Sequence, residues 1–101
     1  MNYGLTSANI ENIKNILQQF PGVEAAYLYG SRAKGNYKPS SDIDIVLKGE
    51  GLDIKQLTNI LLRLDDLFLP NQFDVSLYHH IDNNELLDHI KRVGVDIYTS
   101  K

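Results

Sequence analysis

The chain has 101 residues, 43% of them hydrophobic, a formal net charge of −3 and no cysteine. This predicts one domain over 1–101 with a real core, and excludes a disordered chain, disulfides, thiolate metal sites and a cysteine nucleophile. The acidic balance excludes a general nucleic-acid binder, which needs a basic face to displace counterions, but not a single nucleotide held through a metal ion.

Met1 to Thr6 reads as a loose start with no basic-then-apolar leader. No apolar run is long enough to cross a bilayer, so a soluble, cytoplasmic protein with no membrane contact is expected. Ser7 is the expected cap of a helix to about Phe20, with Ile10, Ile13, Leu17 and Phe20 on one face. Pro21-Gly22 ends it, and Val23 to Tyr29 follows as a strand. Ala26 and Leu28 share one face of that strand, Tyr27 and Tyr29 the other. Ser31 to Lys34 suits one short helical turn, and Asn36 to Ser41 is a loop by composition.

Asp42 to Lys48 is the second expected strand, stopped by Gly49-Glu50-Gly51. Asp53 and Gln56 form a capping-box pattern ahead of a helix with Leu57, Ile60, Leu61, Leu64 and Leu67 as its stripe. Pro70-Asn71 breaks the chain before a third strand, Gln72 to Tyr78. Asp82 and Glu85 suggest a second capping box, and Ile81 and Leu86 a hydrophobic staple, for a helix with apolar Leu86, Leu87, Ile90 and Val93. Gly94 fits its stop, and Val95 to Tyr98 a last strand. The order predicts an α/β (α+β) fold, a mixed four-stranded sheet flanked by helices.

The most informative stretch is Tyr29 to Val46. It passes from an apolar strand through Gly30-Ser31 into a strand carrying Asp42 and Asp44. Strand side chains two apart share a face, so these two acids point the same way. Asp74, on the next strand, is a third candidate. Gly30 permits close backbone approach, a helix N-terminus offers amides to phosphate oxygens, and Ser31 adds a hydroxyl. Aspartate oxygens are hard ligands suited to magnesium. Two carboxylates about 5 Å apart repel by roughly 3 kcal/mol at an effective dielectric near 20, a cost that a divalent cation removes.

Gly30-Ser31, ten intervening residues, then Asp42-x-Asp44 resembles the nucleotidyltransferase superfamily signature. The resemblance runs over nearly the whole chain and is closest to the minimal nucleotidyltransferases, antitoxin-like proteins paired with HEPN-domain partners. It implies a nucleotidyltransferase fold and transfer of AMP from ATP, or of another nucleoside monophosphate, to a hydroxyl. It also implies two magnesium ions, replaceable by manganese, at Asp42, Asp44 and Asp74, with Gly30 and Ser31 seating the triphosphate. The family's acceptor is a tyrosine of a helical HEPN toxin, which makes a hetero-oligomer the expected assembly. Arg32 and Lys34 beside the turn either neutralise the phosphates or are solvated loop charges.

Two other functions fit the same residues: a non-catalytic antitoxin that neutralises by contact, and a transferase acting on a small molecule such as an antibiotic. His79 and His80 are expected at the surface, and His89 as a structural or solvated helix residue. Tyr27, Tyr29, Tyr37 and Tyr78 are expected to be packing residues. A Walker loop is excluded, because Asn36-Tyr37 stands where Lys-Ser/Thr is required.

Overall fold

The computed structural model describes residues 3–67, 69 and 71–100. Thr6, not Ser7, caps the first helix, α1 (Ser7–Gln18): its backbone is extended and its hydroxyl accepts the Asn9 N–H at 3.0 Å. That hydroxyl satisfies one of the amides a helix start leaves open, and Ser7 becomes the first helical residue. Ile13 and Leu17 are buried as the spacing predicts, together with Ile16, while Ile10 and Phe20 pack at the margin.

The first strand, β1 (Ala25–Tyr29), runs into a single short helix, α2 (Gly30–Lys34), which Gly35 closes in the left-handed region at φ 90°. β2 (Ile43–Lys48) sends Ile43, Ile45 and Leu47 into the main core and leaves Asp44, Val46 and Lys48 for the opposite face. Each of those three buried aliphatic side chains contributes on the order of 1.5–3 kcal/mol. α3 (Ile54–Asp65) carries the predicted capping box: Asp53 Oδ1 accepts the Gln56 N–H at 2.8 Å, and Gln56 Oε1 accepts the Asp53 N–H at 3.3 Å. Pro70, half of the predicted break, lies outside the described residues.

β3 (Phe73–Leu77) ends in a 3-10 turn over Tyr78–His80. α4 (Asn84–Val93) is capped by Asn83 rather than Asp82. Asn83 Oδ1 accepts from the amides of Glu85 and Leu86 at 2.9 and 3.1 Å, which sets the start one residue later than the Asp82/Glu85 pattern predicts. Ile81 and Leu86 still pack against the same small cluster. Gly94 stops α4 as expected: its φ is −58°, and a Cβ there would run into the Ile90 carbonyl. β4 (Val95–Thr99) follows.

The strands lie in the order β3-β2-β1-β4, with β2 and β3 parallel and the other pairs antiparallel, so the sheet is mixed as predicted. α1 and α3 cover one face and bury Ile13, Leu17, Ile60 and Leu64 against it. On the other face α4 packs Ile90 against Tyr29 and Val46. That second, smaller cluster fixes α4 beside the turn that follows β1. Among the described residues no helix is long and apolar enough to cross a membrane.

Candidate active site

The register brings the predicted acids into one neighbourhood. Asp44 pairs with Tyr29 across the antiparallel ladder and with Asp74 across the parallel one, so Tyr29, Asp44 and Asp74 form a row over three strands. Gly30 follows Tyr29 at φ +76°, and a Cβ at Gly30 would collide with Asp44 Oδ2. A side chain is excluded there twice, by the backbone conformation and by the acid. The Gly-Ser turn therefore lies against the second aspartate of the motif. Asp42 sits just ahead of β2, exposed, as is Asp74.

The charges act on one another. Partial burial pushes the Asp44 carboxyl up from its ordinary 3.8 to about 6, and the negative charges of Asp74 and then Asp42 push the same way. Arg32 works against them. The Tyr29 phenol is also raised, first by burial; Ser76 opposes the rise through a hydrogen bond, and Asp74 and Asp44 add to it. Among the described residues no three Asp, Glu, His or Cys side chains close into a ready-made metal cage. Magnesium needs no such cage, because it is held by one or two carboxylates, waters and substrate phosphates. Hard oxygen donors, crowded enough to raise the proton affinity of Asp44, fit a divalent cation.

Arg32 does something other than the predicted phosphate contact. It is 2% exposed. Nη1 donates to the Tyr3 carbonyl at 2.9 Å and Nη2 to the Ser41 carbonyl at 2.8 Å, and the guanidinium lies 5.3 Å from the centre of the Tyr37 ring. Its fork clasps the N-terminal segment and the loop that leads into Asp42. Asn71 Nδ2 donates to the Pro39 and Ser41 carbonyls at 2.7 and 3.0 Å and pins the same loop from the β3 side. Lys34 is exposed, and Ser31 is half-buried at the head of α2.

His89 is the residue that sequence reasoning missed. Its Nε2 accepts the Gly30 N–H at 3.0 Å, and its ring stands edge-on to Tyr29 with centroids 6.2 Å apart. No local pattern signals this, because 59 positions separate the partners. One of the amides at the head of α2 is thus already paired, leaving the N–H groups of Ser31 and Arg32, which the helix itself does not use. His79 and His80 are exposed and touch each other, with ring centroids 4.4 Å apart. Tyr27 and Tyr78 flank the Lys48 ammonium at 5.2 and 4.6 Å.

The chain is 35% identical over 77 residues to a Methanocaldococcus jannaschii protein named “Putative protein adenylyltransferase”, an alignment covering 75% of this chain and 81% of that one. Its fold is similar to that of a toxin–antitoxin crystal structure with AMP-PNP, at a TM-score of 0.76 and 21% identity, over 92% of this chain and 75% of the other. It is similar also to a chain in the complex of a tri-AMPylated Shewanella oneidensis HEPN toxin with MNT antitoxin, at a TM-score of 0.72 and 18% identity, over 95% and 74% of the two chains. The model of one family, described as “Polymerase beta, Nucleotidyltransferase”, matches residues 11–101. With the glycine-serine turn packed on the acids of β2 and β3, and that match running through every strand, the chain belongs to the Polymerase beta nucleotidyltransferase family.

Proposed function

We propose that this chain transfers AMP from ATP to a hydroxyl of a protein partner, and that it acts as the antitoxin of a pair whose toxin is a helical HEPN-type protein bearing the acceptor tyrosine. The observation that carries the reading is the packing of Gly30 on Asp44, with Asp74 next to Asp44 in the register. It puts the glycine-serine turn and the carboxylates side by side. The similarity to a protein named as an adenylyltransferase, and to the fold of toxin–antitoxin structures, supports the choice of nucleotide and partner.

Asp42, Asp44 and Asp74 would hold two magnesium ions, which when bound neutralise the triphosphate and the leaving pyrophosphate. The Ser31 hydroxyl and the Ser31 and Arg32 amides bind phosphate oxygens. The Asp74 carboxylate orients the acceptor hydroxyl and takes its proton as the oxygen bonds to the α-phosphorus. The bond from that phosphorus to the bridging oxygen breaks, and pyrophosphate leaves.

Co-expression with the product of the neighbouring gene, followed by intact mass measurement, tests the proposal. A gain of whole AMP units on the partner, lost with Asp42→Asn or Asp44→Asn, is the expected result. A stable complex with no mass gain, still neutralised by Asp42→Asn, would overturn catalysis in favour of inhibition by contact.

A further inference from the structure

The turn that the proposed function depends on has a weak point. Gly30 has no side chain to anchor it, and glycine is the residue freest to leave its conformation. Its N–H is the first of α2, so the helix provides no acceptor for it. Unanchored, the turn would wander over the very acid it packs against.

We infer that His89 is a positioning residue of the glycine-serine turn: its Nε2 holds the Gly30 N–H at 3.0 Å and so keeps Ser31 where it meets phosphate. This rests on the nucleotide reading above. Two features make the contact more than a chance approach. The ring is oriented by its edge-on contact with Tyr29, the residue immediately before Gly30. The backbone that carries it is fixed by Ile90, buried next to it against Tyr29 and Val46. An acceptor Nε2 must carry no hydrogen, so the imidazole is neutral with its proton on Nδ1. The α4 helix thereby reaches the site through the His89–Gly30 hydrogen bond.

Two substitutions separate the hydrogen bond from ring packing. His89→Phe keeps a ring against Tyr29 and removes the acceptor. His89→Gln removes the ring and keeps an acceptor at similar reach. Amide hydrogen exchange at Gly30 reads the bond directly in the free protein, and calorimetry with magnesium and ATP reads its consequence. Loss of Gly30 protection in His89→Phe, with affinity weakened about three- to tenfold, and near wild-type values in His89→Gln, are expected. The opposite order, protection and affinity kept by Phe and lost by Gln, would overturn the inference in favour of packing. Thermal melts check folding; should His89→Phe not fold, comparing His89→Leu with His89→Gln, both without the ring, isolates the acceptor. A wild-type chain that binds no magnesium–ATP would overturn the nucleotide reading, and the Gly30 exchange contrast would still uphold or overturn the anchoring by His89.

Discussion

Asp44 stands beside Asp74 in the parallel register of β2 and β3, and after burial Asp74 is the strongest influence raising the Asp44 carboxyl to about 6. A carboxyl raised in the folded state binds its proton more tightly there than in the unfolded chain. Its stabilising contribution is fully present below about pH 4 and is lost as pH rises through about 6.

The metal-free chain should therefore lose stability from this group across that window, by about 1–2 kcal/mol once solvent screening of a partly exposed carboxyl is allowed for. Melting curves in chelator from pH 4 to pH 7 should show the decline in wild type and a flatter profile in Asp44→Asn. Identical profiles would mean that Asp44 is not strained by its neighbours. Added magnesium should reverse the trend above pH 6, because the cation favours the ionised carboxylate.

Asp74→Asn should lower the Asp44 pKa and should stop transfer. Asp42→Asn should lower it less, since Asp42 ranks below Asp74 among its causes. Titration of the Asp44 carboxyl carbon by NMR measures both. An Asp44 titration indifferent to Asp74→Asn would separate the two acids and remove Asp74 from the site.

Gly30→Ala and Gly35→Ala make an informative pair. Both glycines have positive φ, but a Cβ at Gly30 strikes Asp44 Oδ2, whereas Gly35 has open space. Gly35→Ala should cost only the left-handed backbone, about 1–2 kcal/mol. Gly30→Ala should cost more than that and also weaken magnesium–ATP binding. Equal losses in the two variants, with affinity intact in both, would show that the turn tolerates a side chain.

Arg32→Met should act on stability before it acts on nucleotide. It takes the donor from the Tyr3 carbonyl and leaves the Ser41 carbonyl to Asn71 alone, a loss of about 1–3 kcal/mol measurable by denaturant unfolding. An unchanged unfolding midpoint with ATP affinity abolished would return Arg32 to the phosphate role that its place in the sequence suggests.

Much of this was legible because it is written locally. The Asp53–Gln56 box, the alternation of Ile43, Ile45 and Leu47 with Asp44 and Val46, and the Gly30-Ser31 to Asp44 spacing each occupy a short run of chain. The caps at Thr6 and Asn83 slipped by one residue because Ser7 and Asp82 beside them are equally good cap residues, and only the backbone path decides between neighbours. Arg32 and His89 were not legible at all as a clasp and an anchor. Arg32 works through carbonyls at Tyr3 and Ser41, and any residue type offers a carbonyl. His89 works across 59 positions, and a lone histidine in an amphipathic helix has no pattern that names its partner.

β1 lies in the middle of the sheet, between β2, which follows it closely in the chain, and β4, which comes after α4. As the chain emerges during synthesis, β1, β2 and β3 can pair while β4 is still to come. The carboxylates of β2 and β3 would then be gathered before α4 has docked and before His89 can reach Gly30. Long-range closures of this kind are the slow part of folding. The half-made sheet exposes an unpaired β1 edge and an unanchored turn, a form suited neither to solubility nor to chemistry. α4 and β4 thus supply the second edge pairing of β1 and the anchor of the Gly30 turn only after β1, β2 and β3 are made.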